Sequence, residues 1–265
     1  MITIAIDGKE TKVEPGTTLL AAAKALGITI PTLCHHDMVK PYGACRVCIT
    51  EVRTNGRSRM VTACNYPVQH PLEAFTNSER VNKERRGILT MLLSRWPEVP
   101  IIKQMAKFYK APPPAFNHPQ RSNHPNACIL CGLCVRACSE VAREDIITFV
   151  GRGSKREVDM PFNEQYERCI GCGTCAHVCP TGAIQLEEDP NHPVDSERIR
   201  KFGMRVNEEV ANLDIKQNRM QKVGTTTLVE IMDAYDLLPT HNYRFGGHAE
   251  AHKIASWVWS DNYFQ

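Results

Sequence analysis

Twelve cysteines fall into three groups of four with none left over: Cys34, Cys45, Cys48 and Cys64; Cys128, Cys131, Cys134 and Cys138; Cys169, Cys172, Cys175 and Cys179. No other feature limits the fold so tightly, because each group must be brought together by loops that the rest of the core has to accommodate. The N-terminal stretch "MITIAIDGKETKV" reads as a strand and a turn. It has no basic segment leading into an apolar run and no small-residue cleavage site, so a cytoplasmic chain is expected. Reducing compartments keep structural thiols open, and cysteine spacings of this kind then signal metal rather than disulfides.

The second and third groups both follow C-x2-C-x2-C-x3-C, the spacing of bacterial-type ferredoxins. There, three thiolates hold one [4Fe-4S] cluster and the fourth reaches across to the other. The expected ligand sets are therefore crossed. One cluster takes Cys128, Cys131, Cys134 and Cys179, and the other takes Cys169, Cys172, Cys175 and Cys138. Gly132, Gly171 and Gly173 suit loops whose backbone N–H groups approach a cluster closely. Pro180 follows the last cysteine of the third group, whereas Ser139 stands at the equivalent place in the second. Structural zinc would want two separated pairs instead.

The first group, C-x10-C-x2-C-x15-C, departs from the C-x4-C-x2-C of plant-type ferredoxins, yet four cysteines including a C-x2-C pair suit a [2Fe-2S] cluster. Its surroundings add to the case. Residues 2–6 alternate as a strand, "DGKE" turns, residues 11–13 return, and a helix capped near Thr18 closes at Gly27. "CRVCITEV" and "RMVTAC" then read as two strands joined through Asn55-Gly56. Two strands, a helix and two more strands describe a β-grasp domain with the cluster in the loop after the helix.

"PTLCHHDMVKPYGACRVCITEV" followed by Cys64, then "CILCGLCVRACSEV" and "CIGCGTCAHVCPTGAI", resembles three related chains over roughly residues 1–187. These are the N-terminal part of the large peripheral subunit of respiratory complex I, the small diaphorase subunit of NAD-reducing hydrogenases, and the N-terminal part of iron-only hydrogenases. The resemblance implies a relay of iron–sulfur clusters. Single electrons would pass between a flavin-containing, NADH-binding subunit and a catalytic or ferredoxin-facing partner. It places FMN and NAD(H) on that partner. The host enzymes it admits are a hydrogenase, a formate dehydrogenase, an electron-bifurcating enzyme or a tungsten-type oxidoreductase.

One departure is visible. Those relatives carry a His-x3-Cys-x2-Cys-x5-Cys cluster between the two regions, whereas residues 65–127 contain no cysteine. His124, Cys128 and Cys131 echo part of that motif, but Ala137 stands where its last cysteine would be, so the extra cluster is expected to be absent. His124 and His118 read as surface or supporting residues. His35 and His36 read the same way, or as donors to the sulfur of the neighbouring cluster.

At 265 residues the chain suggests two or three units. Asn77 or Ser78 can cap a helix that Pro97 stops, Pro100 starts a second toward Tyr109, and "APPPAFNHPQRSNHP" follows as an extended linker. Residues 79–110 carry eight basic side chains against three acidic ones, which reads as a solvated helix face or as a surface for an acidic partner. Beyond Pro193 there is no cysteine; helical periodicity recurs near 196–212 and 226–237, and Trp257, Trp259, Tyr263 and Phe264 crowd the last stretch. Such aromatics anchor interfaces, so docking onto another subunit is expected there, with packing against its own chain as the alternative.

The expected fold is α+β. It comprises a β-grasp [2Fe-2S] domain over 1–76, a helical and Pro-rich linker over 77–123, a two-[4Fe-4S] ferredoxin-like module over 124–192, and a mostly helical extension over 193–265. A net charge of +3 argues against nucleic acid, and no apolar run is long enough for membrane insertion. "GRGSKRE" lacks the third glycine of a dinucleotide fingerprint, so no catalytic site is expected here. The expected role is a subunit of a soluble NAD(H)-linked oxidoreductase; a free-standing multicluster ferredoxin that diffuses as a carrier is the alternative.

Overall fold

Both hairpins of the N-terminal sheet turn on a residue pair with positive φ. Asp7 and Gly8 (φ 47° and 81°) join β1 (Ile2–Ile6) to β2 (Lys9–Val13), and Asn55 and Gly56 (φ 50° and 73°) join β3 (Ile49–Thr54) to β4 (Arg57–Thr62). Two-residue loops of this hand match the right-handed twist of the strands they connect. The computed structural model describes residues 1–161, 169 and 172–184, together with two short strands at Leu186–Glu188 and Tyr243–Phe245. Gly171, the helical periodicities near 196–212 and 226–237, and the four closing aromatics lie outside the described residues.

The four strands and the helix expected from the sequence are present, and a fifth strand joins them. This is β5 (Glu73–Phe75), which pairs in parallel with β1 and antiparallel with β3 to give a mixed sheet ordered β2-β1-β5-β3-β4. Asp7 fixes its far end, its carboxylate accepting from both the backbone N–H and the hydroxyl of Thr76. Helix α1 (Leu19–Ala25) begins where the Thr18 hydroxyl accepts from Ala21 N–H. It ends as Gly27 (φ 70°) and Ile28 donate back to Lys24 and Ala23, a glycine-terminated cap. Leu19, Ala22 and Ala23 of α1 are buried with Ile4 and Ile6 of β1, Val52 of β3 and Ala74 of β5, and the same core holds Cys48 and Cys64.

Helix α2 (Glu79–Arg95) is capped by Ser78, whose hydroxyl accepts from Val81 N–H at 3.2 Å and donates to Glu51 on β3 at 2.9 Å. Its buried stripe runs Val81, Arg85, Leu89, one residue every fourth, so Arg85 is taken off the solvated face that the charge count suggested. Helix α3 (Pro100–Phe108) starts on proline and buries Ile101, Ile102, Met105 and Ala106. The Pro-rich stretch after it has no helix or strand and is pinned along α2: Pro112 O accepts from Thr90, Ser94 O from His118 N–H, and Arg95 O from Ser122 N–H. Since the Ser78 hydroxyl serves both the helix start and β3, Ser78→Ala is expected to lower stability by about 1–2 kcal/mol. The check is the urea midpoint followed by circular dichroism, and an unchanged midpoint would contradict this role.

The chain divides into two compact units, the first holding Met1–Gly132 and the second running on from Leu133. In the second, α4 (Leu133–Arg136) passes into a π-type turn over Ala137–Ala142 that Arg143 ends in the left-handed region (φ 61°). The Cys138 carbonyl accepts from both Arg143 and Glu144 N–H. Strands β6 (Thr148–Val150) and β7 (Glu157–Asp159) form a small hairpin, with the Arg156 guanidinium 3.8 Å from the centre of the Phe149 ring. Helix α5 (Thr174–His177) follows, and β8 (Leu186–Glu188) pairs antiparallel with β9 (Tyr243–Phe245).

Candidate metal centres

Between α1 and β3 the chain runs without helix or strand and carries Cys34, Cys45 and Cys48, while Cys64 sits in a 3-10 turn just after β4. Ala63 N–H donates to Cys48 O at 3.1 Å, which ties the turn to the loop. Cys34, Cys48 and Cys64 are each 1% exposed. The four sulfurs form a string. Cys34 is hydrogen-bonded to the thiols of Cys45 and Cys64, Cys48 to that of Cys64, and Cys34 Sγ also accepts from Cys45 N–H at 3.4 Å.

Protons divide unevenly along this string. The Cys45 and Cys64 thiols hold Cys34 down to about 2, and Cys64 also lowers Cys48, whereas Cys45 and Cys64 are pushed up. Cys34 and Cys48 are thus the more acidic of the four. Among the described residues no group of three or more Cys, His, Asp or Glu is placed to hold a metal ion on its own. Gly43 (φ 72°) and Arg46 (φ 63°) take the loop through the left-handed region, and the N–H of Cys45 between them donates to Cys34 Sγ at 3.4 Å. Side chains are not welcome at Gly43, whose Cβ would lie 2.6 Å from Asn65 Nδ2. The donor set and its N–H lining fit an anionic iron–sulfur group.

In the same unit, Cys128 is exposed and Cys131 buried. Leu130 N–H points at Cys128 Sγ from 3.5 Å, and Leu130 (φ 55°) and Gly132 (φ 71°) again turn the backbone by positive φ. Desolvation lowers the proton affinity of Arg95 on α2, and charge at Cys128 opposes it. His124 is exposed and its Nδ1 accepts from Asn126 N–H.

In the second unit, Cys134, Cys138 and Cys179 share one apolar cluster with Ile146, Ile147 and Ile184, and Cys169 and Cys175 pack against it. Burial pushes the Cys172 thiol up to about 11, with charge on Cys169 and then Cys138 adding to the rise. Burial also raises Cys175 and Cys138, and both feel the charge of Cys169. Cys138 acts on Cys172, and both Cys134 and Cys138 act on Cys175, so cysteines of the two motifs lie near one another. Ile146 N–H reaches Cys138 Sγ at 3.4 Å and Ala183 N–H reaches Cys179 Sγ at 3.2 Å. Thr174 Oγ1 lies 3.2 Å from Cys172 Sγ and Thr181 Oγ1 3.7 Å from Cys179 Sγ. Donors to sulfur of this kind orient ligands and raise cluster potentials.

Sequence reasoning missed these threonines and Arg85, and its histidines sit differently. His35 turns Nε2 to Asp37 at 3.3 Å rather than to a sulfur and leaves Nδ1 buried without a partner, while His36 and His118 accept from Met38 and Gln120 N–H. The threonines stand two residues after a cysteine, a spacing that could have flagged them.

Fold and site together define an iron–sulfur protein. Residues 1–79 match the family of 2Fe-2S iron-sulfur cluster binding domains, and residues 127–190 match the 4Fe-4S dicluster domain. The NADPH-Fe(3+) oxidoreductase subunit alpha of Geobacter sulfurreducens is 34% identical over 208 residues, covering 69% of this chain and 24% of its own length. The NADP-reducing hydrogenase subunit HndD of Solidesulfovibrio fructosivorans is 33% identical over 215 residues, covering 71% and 36%. The mitochondrial 78 kDa subunit of NADH-ubiquinone oxidoreductase from Candida albicans is 28% identical over 208 residues, covering 69% and 28%. A chain in the crystal structure of an NAD+-reducing [NiFe]-hydrogenase in the H2-reduced state superposes with a TM-score of 0.50 at 31% identity, covering 60% of this chain and 75% of that one. The chain belongs to the iron–sulfur family that includes the 78 kDa subunit of NADH-ubiquinone oxidoreductase and its counterpart in NAD-reducing hydrogenase. It spans about a quarter of the length of the Geobacter and Candida relatives. Among the described residues no helix is long and apolar enough to cross a membrane.

Proposed function

We propose that this chain relays single electrons within an NAD(P)-linked multisubunit oxidoreductase. The electrons would run between a subunit that binds flavin and NADH and a catalytic or ferredoxin-facing subunit. The observation that supports the reading is the gathering of sulfurs in two places, Cys34, Cys45, Cys48 and Cys64 in one and Cys134, Cys138, Cys169, Cys175 and Cys179 in the other, with backbone N–H groups turned toward sulfur in both. Cys34, Cys45, Cys48 and Cys64 would hold a [2Fe-2S] cluster. Cys128, Cys131, Cys134 and Cys179 would hold one [4Fe-4S] cluster, and Cys169, Cys172, Cys175 and Cys138 the other. When bound, such clusters supply one-electron oxidation and reduction.

The rest is done by the chain. A metal binding at the first group must displace the protons of Cys45 and Cys64, whose thiols are held up, while Cys34 and Cys48 release theirs more readily. N–H groups set by positive φ answer the anionic charge without side-chain motion, so little reorganisation accompanies a change of one electron. The apolar envelope around Cys134, Cys138 and Cys179 excludes water that would hydrolyse a cluster.

After anaerobic reconstitution with iron and sulfide, the full chain should hold about ten iron atoms, from two clusters of four and one of two. A value near fourteen would show that a further [4Fe-4S] cluster is bound. Tetrahedral zinc in native protein, seen by X-ray absorption, would overturn the assignment for that group.

A further inference from the structure

Arg85 is 2% exposed and sits between Val81 and Leu89 in the buried stripe of α2. A guanidinium there is costly unless both its donors and its charge are answered. Backbone carbonyls answer the donors: Nε donates to Val47 O at 3.1 Å, and Nη2 to Ile49 O at 2.8 Å and Thr76 O at 3.3 Å. Val47 and Ile49 flank Cys48, so the fork closes on the carbonyls at either side of that cysteine. Its carbon lies 4.9 Å from the centre of the Tyr109 ring.

The charge is answered differently. Among the described residues Arg85 forms no ion pair with a carboxylate. Desolvation lowers its proton affinity, and Tyr109 and Cys48 act against that. The sulfur that acts on this buried cation is that of Cys48, which lies between the two residues whose carbonyls the guanidinium grips.

We propose that Arg85 is a positioning residue that braces the Cys48 loop and, as a fixed buried cation, raises the reduction potential of the [2Fe-2S] cluster. The inference rests on the reading of Cys34, Cys45, Cys48 and Cys64 as its ligands. Thiolates and sulfides outweigh the ferric ions in such a cluster, so it is anionic, and an added electron makes it more so. A neighbouring cation shielded from water therefore favours the reduced form. Arginine suits the place because its rigid fork reaches both carbonyls while its charge persists at any accessible pH.

The test is a redox titration of the reconstituted full chain followed by electron paramagnetic resonance, at temperatures where the [4Fe-4S] signals broaden away. Arg85→Gln should lower the ratio of reduced to oxidised [2Fe-2S] about tenfold at a fixed solution potential, a shift of about 59 mV for one electron. Arg85→Lys, which keeps the charge and loses the fork, should stay within about twofold of wild type. Arg85→Gln with an unshifted potential would overturn the proposal. If that variant fails to assemble, Arg85→Lys still decides: a cluster assembled with its ratio lowered tenfold shows that charge is not what matters. A wild-type chain with no [2Fe-2S] signal, or a signal that survives Cys48→Ser unchanged, would overturn the ligand reading, and the Arg85 proposal with it.

Discussion

Replacing Cys179 by serine is expected to destroy or convert the [4Fe-4S] cluster built on Cys128, Cys131 and Cys134, and to leave the cluster of its own motif in place. The expectation comes from two observations of different kinds. The tandem C-x2-C-x2-C-x3-C spacing lets a short loop wrap three corners of a cube while the following helix carries the fourth cysteine away. Within the second unit, Cys134, Cys138 and Cys179 share one apolar cluster against which Cys169 and Cys175 pack, so cysteines of the two motifs lie near enough to be exchanged between clusters. Iron content should fall, by one atom if a three-iron remnant persists and by about four if the cluster is lost. The electron paramagnetic resonance of the reduced protein should lose one [4Fe-4S] contribution. Cys138→Ser should do the reverse. Loss after Cys179→Ser confined to the cluster at Cys169, Cys172 and Cys175 would show that each motif serves only itself.

Most of the first unit could be read from local chemistry. Asn55-Gly56 states its hairpin, Thr18 and Gly27 bracket α1, and Ser78 and Pro100 open the next two helices. Strand β5 escaped because three residues, Glu73–Phe75, are too few to show alternation, and its place between β1 and β3 is decided by partners far away in sequence. Arg85 escaped for a related reason. Counting charges along residues 79–110 treats every basic side chain as solvated, whereas the register Val81, Arg85, Leu89 puts this one on the sheet side. Periodicity read through the charge, rather than around it, would have found it.

The two kinds of iron–sulfur domain were legible because cysteine spacing is a short-range code. Their second layer was not, since whether Thr174 or Ile146 N–H reaches a sulfur depends on loop conformation. Ser139 is instructive here. Proline after the last cysteine would have stopped the helix; with serine the chain continues into a π-type turn, and the Cys138 carbonyl takes two N–H donors from its far end. Such π-type turns occur often at functional sites, and this one contains Cys138.

Removal of residues 246–265 is expected to leave all three clusters with near-normal spectra and to reduce sharply the co-purification of this chain with its partner subunits from native cells. The cut lies beyond β9, so the strand that pairs with β8 directly after the dicluster module is retained. What goes is a stretch without cysteine that ends in Trp257, Trp259, Tyr263 and Phe264. Burial of one large aromatic at an interface contributes roughly 2 kcal/mol. Losing two such anchors would weaken association about a thousandfold, enough to separate a stable complex on a column. If the shortened chain instead loses its clusters, these aromatics pack against their own protein, as the pairing of β9 with β8 already shows for a neighbouring segment. Full retention of the partners would remove the stretch from any account of assembly and leave docking to other surfaces, of which the basic segment 79–110 is the first to test by reversing its exposed charges.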